Sequence, residues 1–175
     1  MSVFITSQNY KNHVIGEKAR RLFVMKEAGF NIPSLFCTNE LPSSDELLSR
    51  LDEKKLYSVR SSAFCEDSPS FSSAGQFDSF LFVAKDSVFD KINECFLSSE
   101  KENVVAYCKE CNIDPESIKM TVIIQEMIDA DYSGVVFSAN PQGILNESVI
   151  VMGCKTGDNV VEERCDTITC YYNKT

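Results

Sequence analysis

The sequence predicts an α+β fold, with a mixed helix and strand region to about residue 119 and a mostly antiparallel strand region over 120–175. Three observations carry that prediction. Apolar residues recur at helical spacing in the first region. From Met120 onward they give way to short runs rich in Val, Ile and Tyr. Turn-forming clusters, "DADYSG" and "NPQGILNE", separate those runs.

Taken in order, Gly16 to Ala28 is a predicted helix, since Ala19, Leu22, Phe23 and Lys26 share one face and Gly29 supplies the stop. "NIPSLFCT" is a short strand, and "SSDELLSRLDEKK" a helix opened by a capping box of Ser43 and Glu46. "LYSVRSS" and "FDSFLFV" are strands on either side of a loop of Ser, Pro, Gly, Glu and Asp. "DSVFDKINECFLSS" is a helix capped by Asp86, with Val88, Phe89, Ile92, Cys95 and Phe96 at its apolar spacing. A further helix is expected over about Lys101 to Cys111. "MTVIIQEMI", "SGVVFSA", "SVIVMG", "NVVEER" and "DTITCYY" are the later strands. The last of these leaves the chain ending on an apolar strand, as expected of one piece of a larger protein.

Composition excludes several function classes. The chain has 175 residues, 43% hydrophobic and 25% charged, which is globular. A formal charge of −9 argues against a nucleic-acid groove or a polybasic membrane patch. No apolar run approaches the roughly 18 residues of a membrane helix, and the first residues lack the apolar core of a secretory signal, so a cytoplasmic location is expected. Eight cysteines in that setting suggest reduced thiols. Cys37, Cys65, Cys95 and Cys154 lie in or beside apolar runs, as small hydrophobes do. Cys108, Cys111, Cys165 and Cys170 could together hold zinc, although their second spacing is not that of a zinc knuckle.

An acidic chain can still hold a phosphate through a local cluster of donors. Arg60 ends its strand beside Ser61 and Ser62. A guanidinium offers a permanent charge and a fork of donors matched to phosphate oxygens. Hydroxyls of Ser61, Ser62, Ser72, Ser73 and Ser79 can add neutral donors, and Gly75 lets backbone approach a ligand. Lys18 falls in the first turn of the helix after Gly16, where exposed N–H groups favour an anion. Convergence of Lys18 and Arg60 would make a polyphosphate cradle. The alternative is an Arg60 paired with Glu66 or Asp67, a solvated Lys18 and a solvated serine loop.

The stretch "VRSSAFCEDSPSFSSAGQFDSFLFV" resembles the VRSSA-x-x-ED-x-P-x-x-S-x-AGQ-x-D-(S/T)-x-L-x-V signature of the nucleotide-binding domain of the phosphoenolpyruvate synthase and pyruvate phosphate dikinase family, which rifampicin phosphotransferases share. "MTVIIQEMIDADYSGVVFSANP" is similar to that family's second block, and "IGEKARRLFVMKEAGFNIPSLFCT" to its opening block. A weaker likeness continues in "VIVMGCKTGDNVVEERCDTIT".

The resemblance implies an ATP-grasp fold and an ATP-dependent phosphotransferase. In such enzymes ATP phosphorylates a carrier histidine on a separate domain, which delivers the group to pyruvate or another acceptor. It implies that Lys18 and Arg60 contact ATP phosphates. Gly75 and Ser79 would belong to a loop closing over them, and Gln125 would stand beside the adenine. The implied partners are a phosphohistidine-carrier domain and a substrate-binding domain, on a longer chain or a separate one. Magnesium is implied too, with its ligands outside this chain, so the isolated chain is expected to lack turnover. Two departures stand out. Ile15-Gly16-Glu17-Lys18-Ala19 has lost two glycines of the opening turn and gained a carboxylate, and Lys155-Thr156-Gly157-Asp158 is a loosened glycine turn. They favour, as an alternative, a non-catalytic nucleotide-sensing or partner-binding module. His13, the single histidine, matches no carrier motif.

Overall fold

The computed structural model describes residues 4–63, 78–101, 104, 106 and 119–174. Two compact units divide the chain, Met1–Met127 and Ile128–Thr175. Among the described residues, no helix is long and apolar enough to cross a membrane.

The first unit is a five-stranded sheet with helices on both faces. Its strands are β1 (Phe4–Ile5), β2 (Leu35–Thr38), β3 (Leu56–Ala63), β4 (Ser79–Ala84) and β5 (Met120–Glu126). They run in the order β1-β2-β5-β3-β4, each pair antiparallel. Helix α1 (Glu17–Glu27) covers one face, while α2 (Ser44–Leu48) and α3 (Lys85–Leu97) cover the other. β5 opens the strand-rich part of the sequence yet is central to this sheet, so the change of character at Met120 is not where the units divide.

Period-two alternation makes the two faces. On the α3 side, Tyr57, Val59, Val122 and Ile124 pack with Leu47, Val88, Ile92 and Cys95. On the α1 side, Ile5, Leu35, Cys37 and Ile123 pack with Ile15, Ala19 and Phe23. Each fully buried Val, Ile or Phe contributes about 1.5–3 kcal/mol, so both helices are anchored. Polar side chains occupy the remaining α1-side positions where β3 and β5 pair, namely Ser58, Arg60, Ser62, Thr121 and Gln125. This buried polar row is the sheet's departure from an ordinary core.

Strand β4 holds a β-bulge. Tyr57 pairs with Val83 but Val59 pairs with Phe80, so one extra residue enters β4, and Phe82 adopts a left-handed φ of 56°. The extra residue changes the strand's phase. Phe80 packs against the α3-side core, and Ser79 falls opposite Arg60. Simple alternation in "FDSFLFV" would have set Ser79 on the face of Leu81 and Val83.

The Ser43 capping box forms as expected: the Glu46 N–H donates to Ser43 Oγ, and Ser43 Oγ donates to the Glu46 carboxylate at 3.0 Å. Several elements differ from expectation. β1 and a short 3₁₀ turn at Tyr10–Asn12 carry too little pattern to be foreseen. Helix α2 ends at Leu48, and α3 starts at Lys85 with Asp86 inside its first turn rather than at its cap. Val104 and Ala106 are helical; the rest of the helix expected to Cys111 lies outside the described residues.

The second unit is an antiparallel meander of β6 (Tyr132–Phe137), β7 (Glu147–Cys154) and β8 (Thr167–Asn173). "NVVEER" is not a strand: Gly157–Val161 form a short helix, α4, and Glu162 and Glu163 turn the chain. Val160 is the reason. It is buried against Gly153, where an added Cβ would lie 3.0 Å from the Val160 side chain and 2.8 Å from Cys165 Sγ. An apolar pair this short has no period of its own, and packing decides its conformation.

Cys37 and Cys95 are buried thiols, as expected of small hydrophobes. Burial pushes both thiols up, Cys95 to about 12. Cys154, the last residue of β7, is exposed, contrary to that expectation. Cys165 and Cys170 are free thiols. Cys65, Cys108 and Cys111 lie outside the described residues, which hold no group of three or more metal-ligating side chains.

Candidate nucleotide-phosphate site

The site begins with how α1 is fixed. Gly16 is its N-cap and carries no side chain to bind the first N–H groups. Two side chains from the sheet replace it. The Gly16 N–H donates to Thr121 Oγ1 at 3.0 Å and the Ala19 N–H to Ser62 Oγ at 3.3 Å. The approach is so close that a Cβ on Gly16 would lie 2.1 Å from the Ser62 carbonyl oxygen. Glycine is therefore required here by space. Ser62 caps a helix, and Ser61 Oγ donates to the Asp78 carbonyl at 2.9 Å. Both hydroxyls serve the fold, which corrects their reading as phosphate donors.

Docked in this way, α1 presents Lys18, Arg21, Leu22 and Met25 along one stripe at i, i+3, i+4 and i+7. The stripe forms one wall of a pocket of about 380 Å³. Arg60 and Ser61 of β3, Ser79 of β4 and Ile123 of β5 form the other. Lys18, Arg60 and Ser79, three of the residues singled out in the sequence, thus line the same pocket. Ser72, Ser73 and Gly75 lie outside the described residues, as do Glu66 and Asp67.

Gln125 reaches the site through Arg60. Arg60 Nη2 donates to Gln125 Oε1 at 2.6 Å, while Gln125 Nε2 donates to the Pro33 carbonyl at 3.4 Å. Gln125 is only 8% exposed. This amide therefore aims the guanidinium. Arg60 is half-buried, and its Nε is fully buried with no hydrogen-bond partner among the described residues. Burial pushes its pKa below the ordinary arginine value, though no accessible pH discharges it. A buried cation is costly, and an anion beside its guanidinium would offset that cost through charge.

Glu17, the carboxylate gained in the opening turn, is not among the residues lining the pocket. It binds Arg20 through both oxygens and Arg21 through one, and these guanidinium bonds hold its carboxyl down at about 2. Sequence reasoning missed Arg21, which lies three residues beyond Lys18 and so on the same helix face. That spacing was the available signal. It also missed Leu22, Met25 and Ile123 as pocket walls, because they are indistinguishable in sequence from core residues.

Residues 38–175 match the family described as "Pyruvate phosphate dikinase, AMP/ATP-binding domain". The chain belongs to this family. Among its relatives, a probable phosphoenolpyruvate synthase of Methanothermobacter thermautotrophicus is 34% identical over 63% of this chain and 16% of its own length. A rifampicin phosphotransferase of Streptomyces sviceus is 38% identical over 54% of the chain and 11% of its own. A phosphoenolpyruvate synthase of Pyrococcus furiosus is 30% identical over 77% and 18%. The chain therefore corresponds to less than a fifth of the length of these relatives. Within this dikinase-type domain Arg60, Ser79 and Gln125 fall inside the family match, whereas Lys18 precedes it. The pocket joins the two parts.

Magnesium does not fit the residues described here. The described lining of the pocket has no carboxylate, and no three His, Cys, Asp or Glu side chains stand together among the described residues.

Proposed function

We propose that this chain is the ATP-binding part of a dikinase-type phosphotransferase of ATP-grasp fold, and that the α1-side pocket takes the phosphates of ATP. One observation carries the reading: Lys18, Arg60 and Ser79 line a single pocket, and the buried Arg60 Nε has no hydrogen-bond partner among the described residues. Phosphoryl transfer asks a protein mainly for positioning and charge neutralisation, and this cluster supplies both. Lys18 is a point charge at a helix start; Arg60 is a fork fixed by Gln125; Ser79 offers a hydroxyl opposite it. Leu22, Met25 and Ile123 add an apolar wall suited to the rest of a nucleotide. The phosphoryl group would pass to a carrier histidine on a separate domain, with pyruvate or a related acceptor beyond it.

The lost glycines of the opening turn favour a second reading, a nucleotide-sensing module that binds ATP without turning it over. Calorimetry with ATP on the full chain and on Arg60→Met tests the site. Binding by the wild type that is lost in the variant is expected; equal binding by both would remove Arg60 from the site. Phosphate release measured in the same samples separates turnover from sensing.

A further inference from the structure

We propose that Arg21 is a third phosphate-binding cation of this pocket, held beside it by Glu17 and selective for a polyphosphate over a monophosphate. This rests on the reading of the pocket as a nucleotide-phosphate site. Arg21 lines the pocket together with Lys18 and Arg60, one helical turn beyond Lys18. Its sole hydrogen bond among the described residues runs from Nε to Glu17 Oε1 at 3.0 Å. Both Nη groups are uncommitted there, on a side chain 64% exposed. Arg20 differs in each respect. It takes both oxygens of Glu17 and lines a separate depression with Tyr10 and Lys11.

Glu17 therefore neutralises Arg20 in a two-point pair and only tethers Arg21 by one shared oxygen. A tether of that kind restricts the side chain to the pocket rim at little cost, because an exposed single-contact ion pair is weak and exchangeable. The Nη donors remain available to phosphate oxygens, which suit a guanidinium fork. Lys18, Arg21 and Arg60 approach the pocket from two walls, α1 and β3. One phosphate cannot meet three cations spread over two walls as well as a chain of two or three phosphates can. The added arginine should therefore favour ATP over AMP. It also explains how the chain tolerates a carboxylate in its opening turn: Glu17 arrives with two arginines that absorb it.

Calorimetry of the full chain with ATP and with AMP tests this on wild type, Arg21→Ala, Arg21→Lys and Lys91→Ala. Lys91 lies on α3, across the sheet, and controls for the loss of one charge. Arg21→Ala is expected to weaken ATP about 10-fold, the worth of one charge-assisted phosphate contact. AMP should weaken by less than about 3-fold, Arg21→Lys should recover part of the ATP loss, and Lys91→Ala should change neither ligand by more than about 2-fold. Wild-type and Arg21→Ala chains binding ATP equally would overturn the role of Arg21 and leave the pocket assignment standing. Equal losses for ATP and AMP would overturn the polyphosphate preference. A wild type that binds neither nucleotide would overturn the pocket assignment itself.

Discussion

Replacing Arg60 by Met separates a functional arginine from a structural one. Methionine keeps the length of the side chain and suits the apolar neighbours Leu22, Met25 and Ile123. Two effects oppose each other in the ligand-free protein. Deleting the guanidinium removes a buried unsatisfied donor, worth about 1–3 kcal/mol. It also removes the bond from Arg60 Nη2 to Gln125 Oε1, a hydrogen bond to a charged group worth about 1.5–3 kcal/mol. These nearly cancel, so the stability of Arg60→Met should fall within about 1.5 kcal/mol of wild type. An arginine holding the fold through a satisfied buried ion pair would instead cost about 3–5 kcal/mol when removed. Urea unfolding of both chains, with and without ATP, reads the difference. ATP at one hundred times its dissociation constant stabilises the binding-competent chain by about 2.7 kcal/mol, and Arg60→Met should lose that increment. A loss above about 3 kcal/mol without ATP would show that Arg60 is structural. Retention of the ATP increment would refute its place in the site.

Gly16→Ala should destabilise the chain by about 1–3 kcal/mol through overpacking, because the new Cβ meets backbone at Ser62 rather than a flexible side chain. Thermal unfolding checks it, and ATP affinity should fall with it as α1 moves off β3. Glu17 has a folded pKa of about 2, below its ordinary 4.5, so its pairs with Arg20 and Arg21 stabilise the fold above pH 4.5 and are lost as pH falls toward 2. Unfolding from pH 7 to 2 should show wild type losing its advantage over Glu17→Gln across that window, by a small amount because the pairs stand at the surface. Deleting Phe82 should remove the β4 bulge while leaving Phe80 opposite Val59 and Ser79 opposite Arg60, so ATP affinity should stay within about 2-fold of wild type by calorimetry; a larger loss would show that the bulge itself shapes the pocket.

The legible parts of this molecule are those with a period or a long motif. Helices α1 and α3 and strands β3, β5, β6, β7 and β8 follow from apolar spacing, and Ser43 with Glu46 marks α2 by its capping box. Arg60, Ser79 and Lys18 stood out as candidate phosphate ligands from side-chain chemistry and motif likeness. Their meeting in one pocket was not legible, because it depends on tertiary facts without a local signature. Ser62 caps a helix 43 residues earlier in the chain, and Thr121 holds Gly16 from 105 residues away. The β4 bulge that faces Ser79 to Arg60 likewise leaves no mark beyond Val83 and Phe80 lying three apart. Gln125, expected beside an adenine, also binds the arginine, a contact that needs the pairing of β3 with β5 in this register.

An excess of nine negative charges opposes the approach of ATP, and the distribution of ion pairs limits that opposition. In the first unit the carboxylates nearest to cations are spent on them: Glu17 on Arg20 and Arg21, Glu27 on Lys11, Glu126 on Lys55, Asp78 on Lys101. Exposed charges beyond about 8 Å are largely screened at physiological salt, so the overall excess slows encounter more than it weakens a bound complex. On the proposed reading, a phosphate in the pocket would meet Lys18, Arg21, Arg60 and Ser79, with no carboxylate in the described lining. Arg60 is the least replaceable of these. Its charge is already desolvated in the folded chain, so contact with an anion recovers solvation lost on folding instead of exchanging water for protein. The exposed Arg21 still surrenders water when it binds. Affinity should therefore depend more steeply on the strand arginine than on the helix cations, although all of them carry the same charge.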